Sequence, residues 1–216
     1  MMRKLKFNEA IRESTTILMK KDKNVIVVGL GVSDPKGIFG TTSNLHKLYG
    51  SKRVFEIPIS ENAITGIIIG ASINGMRPIL SHQRVEFSLL SIEQIFNQAA
   101  KIFYMTGGAI NVPIVIRIII GRGWGNGAQH TQSLESIFSH IPGLKVVVPS
   151  NAYDAKGLLA ASVKDNNPVV FLEHRWLHNT TSFVPKKYYS LKIGKGKIVN
   201  KGSKITVIAF SYSVLI

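Results

Sequence analysis

The sequence predicts an α/β protein: a three-layer sandwich in which helices cover both faces of a mostly parallel sheet. Short apolar runs rich in valine and isoleucine alternate with amphipathic segments of helical spacing, and this order is typical of parallel sheets. The clearest buried strand is VPIVIRIII at Val112–Ile120. The chain has 216 residues, of which 45% are hydrophobic, so it can bury a core of domain size.

The predicted elements alternate along most of the chain. In order they are helix Phe7–Lys21, strand Asn24–Gly29, strand Lys52–Ile57, helix Asn62–Gly75, strand Arg77–Ser81, helix Leu89–Tyr104, strand Val112–Ile120, helix Ser133–His140, strand Leu144–Val148, helix Asp154–Lys164 and strand Val169–Leu172. Ser60 is a suitable N-cap for the helix that begins beside it. Residues 1–175 are therefore expected to form one α/β domain.

The rest of the chain differs in composition. Residues 176–203 lose their periodicity and become basic, which predicts a linker, and residues 204–216 begin with KITVIAF, the pattern of a new strand. One strand cannot form a domain, so we expect residues 204–216 to be the start of a second domain that continues beyond this sequence.

The net charge of +15 has three interpretations. Seven lysines and no acids lie between Lys186 and Lys204. This stretch fits a solvated linker best, with an acidic protein partner as the second interpretation. Nucleic-acid binding is disfavoured, because only Tyr188 and Tyr189 interleave with the lysines and no nucleic-acid motif is present.

Composition also indicates the compartment. The chain has no cysteine, which excludes a disulfide framework and thiolate sites and fits a reducing compartment. The basic start has no apolar stretch behind it, which argues against a secretory signal. The most apolar run, Ala63–Ile73, is too short and too rich in glycine to span a bilayer. We therefore expect a cytoplasmic protein with no membrane association.

Polar residues and glycines follow the predicted strands. Because the carboxyl ends of parallel strands share one edge of the sheet, these residues predict a binding site there. They are Glu61 after the second strand, His82, Gln83, Arg84 and Phe87 after the third, the loop GRGWGNGAQHTQ at 121–132 after the fourth, and Glu173 and His174 after the last.

Two of these features have competing interpretations. Glu61 has no neutralising neighbour in the next two turns, so its partner is either a structural group, such as the free amides of the helix, or a ligand. Glycines at 121, 123, 125 and 127 let the loop backbone approach a ligand or another chain, although a mobile surface loop is the alternative. Trp124, Gln129 and His130 argue for order. The loop matches neither a phosphate loop nor a dinucleotide fingerprint.

The sequence resembles a known family, the β subunits of the first component of 2-oxo acid dehydrogenase complexes such as pyruvate dehydrogenase. The matching stretches run in family order from about Asn24 to Glu173: RVFEIPISE, GASINGMRP, IEQIFNQAAKIFYMTGG, VPIVIR, AQHTQS, PGLKVVVPSNAYDAKGLL and DNNPVVFLE. The helix NEAIRESTTILMKKD also fits. The resemblance implies the pyrimidine-binding fold of enzymes that depend on thiamine diphosphate.

The resemblance also implies roles for four residues. Glu61, in P-I-S-E, would bind the aminopyrimidine ring nitrogen of the cofactor and help to activate it. Phe87 would stack on that ring, and Gln83 would line the same pocket, although its side chain departs from the family pattern. His130, in AQHTQ, would face the substrate and donate a proton during acyl transfer to lipoamide. The alternatives are core packing for Phe87 and ordering of the glycine loop for His130.

Cofactors and partners are implied in the same way. Thiamine diphosphate and Mg²⁺ would be held mainly by an α subunit, in an α2β2 heterotetramer that acts on a small 2-oxo acid such as pyruvate and meets a lipoyl-bearing acyltransferase core. The chain alone would be inactive. Some relatives hold a potassium ion with main-chain oxygens, and the matching positions are Ile114, Ser162, Val163, Asp165 and Asn167. The alternative for these is a plain DNNP turn.

The sequence departs from the family at two places. Gly29-Leu30-Gly31 stands where relatives carry acids thought to couple the two active sites, and residues 204–216 match only the first strand of a C-terminal transketolase-like domain. Three functions therefore stay open: a 2-oxo acid dehydrogenase β subunit, a transketolase-like carboligase without a lipoyl acceptor, and a non-catalytic assembly subunit.

Overall fold

The fold is built around one six-stranded sheet, seen here in a computed structural model that describes residues 2–122 and 125–216. The strands are β1 (Met2–Lys6), β2 (Val25–Gly29), β3 (Val54–Phe55), β4 (Arg77–His82), β5 (Val115–Ile120), β6 (Lys145–Val147), β7 (Val169–His174) and β8 (Thr181–Pro185). The sheet order is β3-β2-β4-β5-β7-β6, and every neighbouring pair is parallel. The predicted α/β class is confirmed.

Helices cover both faces of the sheet. They are α1 (Phe7–Lys21), α2 (Leu45–Tyr49), α3 (Glu61–Ile73), α4 (Val85–Ser88), α5 (Ile102–Met105), α6 (Glu135–Ser139) and α7 (Ala152–Lys164). The bounds of α1 agree with the prediction. No helix in the described part of the chain is long and apolar enough to cross a bilayer.

Alternating strand residues feed two cores. On one face Val27 and Val115 lie in the cluster formed with α1 and α7, and on the other Val28 and Ile116 lie in the cluster formed with α3. Because both faces of a parallel sheet are covered, its strands are nearly continuous runs of valine and isoleucine. This explains why the strands were recognisable from composition alone.

The single helix predicted at Leu89–Tyr104 is wrong in detail. The structure has a 3₁₀ turn at Leu89–Ser91, a π turn at Gln94–Ala99 and then α5. The wider π turn lets two consecutive small residues, Ala99 and Ala100, both enter the core, at 1% and 5% exposure. Apolar spacing cannot separate this arrangement from a regular helix, because the extra residue in the turn only shifts the pattern by one position.

The region after β7 is more ordered than predicted. Within the predicted linker 176–203, β8 pairs antiparallel with β1, and Tyr189 stacks on Tyr153 of α7 with ring centroids 4.8 Å apart. The strand predicted at 204–210 does not form in the described structure; Ile208 is 91% exposed there. A strand needs a hydrogen-bonded neighbour, which local sequence cannot supply. The division of the chain into three parts stays a prediction.

Candidate functional site

The carboxyl edge of the sheet begins with a loop that two neighbouring strands hold in place. After β3, Glu56 accepts hydrogen bonds from the amides of Gly31, at 2.6 Å, and Ser33, at 2.8 Å. After β4, the side-chain amide of Gln83 donates to the Leu30 carbonyl at 3.0 Å. A Cβ on Gly31 would lie 2.7 Å from Nε2 of Gln83, and φ there is +77°, so this position requires glycine. The side-chain NH₂ group of Gln83 is therefore engaged in a hydrogen bond to the loop.

Glu56 brings an acid to the loop that lacks the family acids. The pKa of Glu56 is lowered overall. Burial acts to raise it, but the hydrogen bonds from the Ser33 hydroxyl and from the Ser33 and Gly31 amides together outweigh burial. The carboxylate is therefore ionised beside Leu30 and Gly31. Sequence reasoning missed Glu56, although it lies in the RVFEIPISE stretch, one residue before the end of the predicted strand Lys52–Ile57.

The short helix α4 lies against the turn that carries His130. The rings of Phe87 and His130 are 5.3 Å apart at their centroids and inclined by 54°. His130 ends a 3₁₀ turn at Ala128–His130, and its side chain is 38% exposed. The structure thus brings together two predicted site residues, Phe87 and His130, that lie far apart in the sequence.

Glu86, the neighbour of Phe87, contacts the same turn. Its Oε1 accepts a hydrogen bond from the Gln132 amide at 2.9 Å, and its Oε2 lies 3.9 Å from Nδ1 of His130. The Glu86 side chain is 10% exposed. Sequence reasoning missed this residue too; the available signal was an acid in the polar segment after the third predicted strand, next to the aromatic of the site.

One hydrogen bond joins the two ends of the glycine loop, and a second holds Asn126 within it. The Gly121 amide donates to the Gln132 carbonyl at 3.1 Å, and Arg84 donates to Asn126 at 3.3 Å. A Cβ on Gly121 would lie 2.7 Å from the ring of His174, so glycine permits this close approach. These contacts fix the backbone at Gly121 and Gln132 and the side chain of Asn126. Gly123 and Trp124, which figured in the prediction, lie outside the described residues.

The last strand gives two different outcomes. His174, half-buried, stacks on Tyr212 with centroids 5.4 Å apart and contacts Trp176. Glu173, expected among the polar residues of the edge, is instead fully buried and paired with Arg117 of β5. The Glu173 carboxylate is therefore a buried structural group that links β7 to β5.

Glu61 is the first residue of α3, one residue before the predicted start of this helix at Asn62. Ser60 occupies the N-cap position, but its side chain makes no capping bond. In the described structure the Glu61 carboxylate has no hydrogen bond or ion pair, neither with the free amides of its own helix nor with Gln83, Phe87 or His130. The helix-end interpretation of Glu61 therefore gains no support, and its acceptor oxygens are available to a donor from outside the chain.

The predicted potassium residues cluster at the turn between α7 and β7. Arg77 donates to the carbonyls of Val163 and Asp165, at 2.9 and 3.1 Å, and Lys145 pairs with the Asp165 carboxylate at 2.6 Å. Of the other positions, Ile114 accepts from the Val169 amide, Ser162 accepts from the Asp165 amide, and Asn167 donates to the Asp165 side chain. Two positive side chains at one turn oppose a further cation. The geometry supports a plain turn, and the potassium ion stays a prediction.

His82, at the end of β4, gives the fold an acid sensitivity. Burial lowers its pKa to about 4, from 6.5. The unfolded chain therefore binds more protons than the folded one between these values, so the stability due to neutral His82 is present above pH 6.5 and is lost as the pH falls towards 4. In His82→Phe we expect the loss between pH 7 and pH 5 to shrink by about 2 kcal/mol. Guanidinium unfolding at both pH values measures this, and an unchanged pH dependence would contradict it.

Comparison with known proteins identifies the family of this chain. Residues 3–180 match the family model described as "Transketolase, pyrimidine binding domain". The chain is 43% identical, over 97% of its length, to the pyruvate dehydrogenase E1 component subunit beta of Porphyra purpurea. It is 40% identical, over 99% of its length, to the acetoin:2,6-dichlorophenolindophenol oxidoreductase subunit beta of Cupriavidus necator. It spans 63% and 66% of the lengths of these relatives.

Solved structures agree on the fold. The transketolase from Leishmania mexicana superposes with a TM-score of 0.65 at 17% identity, covering 80% of this chain and 25% of that one. At this identity the likeness concerns the fold alone.

Proposed function

Because the chain belongs to the transketolase pyrimidine-binding domain family, which depends on thiamine diphosphate, we propose that its carboxyl edge binds the pyrimidine ring of that cofactor. The observation that carries the proposal is the Glu61 carboxylate, which has no partner among the described residues and lies at the edge where ligands of parallel sheets bind. An unpaired acceptor of this kind fits a cofactor ring that offers nitrogen donors.

We further propose that the whole protein is the β subunit of a 2-oxo acid dehydrogenase that acts on pyruvate. Supporting this is the 43% identity to a pyruvate dehydrogenase subunit over nearly the whole chain. In this proposal an α subunit completes the site and holds the diphosphate and Mg²⁺, and the acetyl group passes to a lipoyl-bearing acyltransferase. Among residues 2–122 and 125–216, no group of three His, Asp or Glu side chains could hold a metal ion.

Each site residue has a defined task in the proposal. Bound thiamine diphosphate would supply the electron sink for loss of carbon dioxide. Glu61 would hold a nitrogen of the pyrimidine ring through a hydrogen bond and could exchange a proton there, and Phe87 would offer an aromatic face for stacking. Gln83 keeps the loop after β2 beside the ring, through its bond to Leu30.

His130 acts in the transfer to lipoamide. There the acyl carbon would form a bond to one sulfur, and the S–S bond would break with its electron pair moving to the second sulfur, which takes a proton. Nε2 of His130 donates this proton, and the ring becomes neutral with its remaining proton on Nδ1. The acyl group would then leave the cofactor: its hydroxyl proton is lost as the C=O bond forms, and the electron pair of the broken carbon–carbon bond stays with the cofactor. The partial exposure of the His130 side chain leaves the ring accessible to a mobile lipoyl group.

The test is a two-assay comparison of the full-length protein with its α partner, thiamine diphosphate and Mg²⁺. We expect pyruvate-dependent reduction of dichlorophenolindophenol and acetyl transfer to a lipoylated domain. Carbon–carbon bond formation without acyl transfer would favour the carboligase, and absence of cofactor binding would favour the assembly subunit. Because of the 40% identity to an acetoin oxidoreductase subunit, acetoin is the second substrate to assay. Activity with acetoin and none with pyruvate would identify acetoin as the substrate in place of pyruvate and would leave the proposed cofactor unchanged.

A further inference from the structure

We propose that Glu86 is a positioning residue that fixes the tautomer and orientation of His130; this inference rests on the proposed role of His130 in acyl transfer. The starting observation is a pair of unsatisfied atoms. Oε2 of Glu86 and Nδ1 of His130 are both buried, and within the described residues neither has a hydrogen-bond partner. They lie 3.9 Å apart.

The two atoms are complementary. A carboxylate oxygen only accepts hydrogen bonds, and Nδ1 of imidazole can donate one. A buried polar atom without a partner is costly, so each atom gains from a bond to the other. The distance of 3.9 Å is beyond a direct hydrogen bond, and a small inward shift of the exposed turn closes it. Such catalytic contacts are often long before substrate binds and shorten in the loaded complex.

Neighbouring residues hold the Glu86 carboxylate and the His130 ring close to each other. Oε1 of Glu86 is already bonded to the Gln132 amide, two residues after His130, so the carboxylate is anchored to the turn it would orient. The Phe87 ring packs on the imidazole from the same helix, α4. Oε2 of Glu86 is therefore placed to accept a hydrogen bond from Nδ1 of His130.

The consequence is a defined proton location. When Nδ1–H donates to Glu86, the neutral ring carries its lone pair on Nε2, and the proton that moves during acyl transfer enters and leaves at Nε2 alone. Without that contact the neutral ring can place its proton on either nitrogen. Glu86 thus does for His130 what a carboxylate partner does for many catalytic histidines, without touching the substrate itself.

Glu86→Gln separates this role from simple anchoring. Glutamine has one acceptor oxygen and one amide donor. With the oxygen on the Gln132 amide, the NH₂ group faces Nδ1, which must then accept, so the proton of the neutral ring moves to Nε2. We expect the variant to keep dichlorophenolindophenol reduction and to lose acyl transfer to a lipoylated domain by about tenfold or more, with the roughly 10²–10⁴-fold contribution of a positioned acid as the upper limit.

The second readout does not depend on activity. In the assembled complex, with ¹⁵N-histidine in this chain only, solid-state NMR should show the Nδ1–H form of His130 in the unmodified protein and the Nε2–H form in Glu86→Gln. The His130→Asn spectrum assigns the signal. Glu93→Gln is the matched control, because the Glu93 carboxylate likewise accepts hydrogen bonds, here from the side-chain amides of Gln94 and Gln98, and within the described residues it bonds to no predicted site residue.

The outcomes are distinct. If the unmodified complex shows neither assay activity, the proposed function fails, and the tautomer measurement still tests the Glu86 contact. If both assays work and Glu86→Gln changes neither acyl transfer nor the tautomer, the inference is overturned. If only Glu86→Ala, which also removes the contact to Gln132, loses acyl transfer, Glu86 is an anchor of the loop and the tautomer role is rejected.

Discussion

A Glu61→Gln variant should assemble with its α partner and lose pyruvate decarboxylation by about 10²–10⁴-fold, the contribution of a positioned acid–base group. The amide keeps the size and polarity of the side chain but cannot exchange a proton with a ring nitrogen. The decisive measurement combines dichlorophenolindophenol reduction with calorimetric titration of thiamine diphosphate in the presence of Mg²⁺. In Glu61→Ala, which removes the acceptor altogether, cofactor binding should weaken as well.

Glu135→Gln is the matched control for this substitution. Like Glu61, Glu135 is the first residue of a helix, α6, and its carboxylate has no hydrogen bond or ion pair in the described structure. The same change of charge there should leave decarboxylation and cofactor affinity unaltered. Near-normal decarboxylation in Glu61→Gln would reject the role of Glu61, and equal losses in both variants would indicate a general electrostatic effect.

The central fold was predictable because short apolar runs and helical spacing of apolar residues indicate its strands and helices. The strands β2 and β5 are short runs rich in valine and isoleucine, β4 and β7 carry shorter apolar runs, and α1 has a regular buried stripe. Such patterns depend only on residues a few positions apart. The location of the site at the carboxyl edge followed from the parallel order of these strands.

What could not be predicted depends on distant parts of the chain. β8 forms only because β1, nearly the whole sequence away, offers it a partner. Glu86 becomes relevant only once the turn carrying His130 lies against α4, and Glu56 only once the loop after β2 turns towards β3. A sequence shows that an acid follows a strand, but the backbone amide or ring nitrogen it faces is fixed by the tertiary fold.

The same limit applies to Glu173, which sequence position assigned to the site and packing assigns to the core. Its carboxylate is bidentate to Arg117, with Nε–Oε1 at 2.5 Å and Nη2–Oε2 at 3.0 Å, and His178 lies 3.5 Å away. Burial acts to raise the pKa of Glu173, but the charge of Arg117, the hydrogen bonds from Arg117 and the nearby His178 ring together outweigh burial, so the pKa is lowered. The pair therefore stays ionised inside the protein.

Arg117→Met should destabilise the fold by about 3–5 kcal/mol, because it leaves the fully buried Glu173 carboxylate without its main partner. Arg117→Met combined with Glu173→Leu should recover most of this loss, since an apolar pair needs no charge compensation. Guanidinium unfolding of the single and double variants gives the coupling energy. Lys145→Met, which breaks the partly exposed pair with Asp165, is the control and should cost less than about 1 kcal/mol.

The pH dependence provides an independent check on the buried pair. Because the pKa of Glu173 is lowered in the folded protein, its contribution to stability is present above the ordinary glutamate value of 4.5 and is lost as the pH falls through the folded value. The double variant should therefore lose less stability than the unmodified protein when the pH is lowered below 4.5. If acidification destabilises both equally, or if Arg117→Met costs no more than Lys145→Met, the ion pair contributes little, and the packing of β5 against β7 alone holds this part of the sheet.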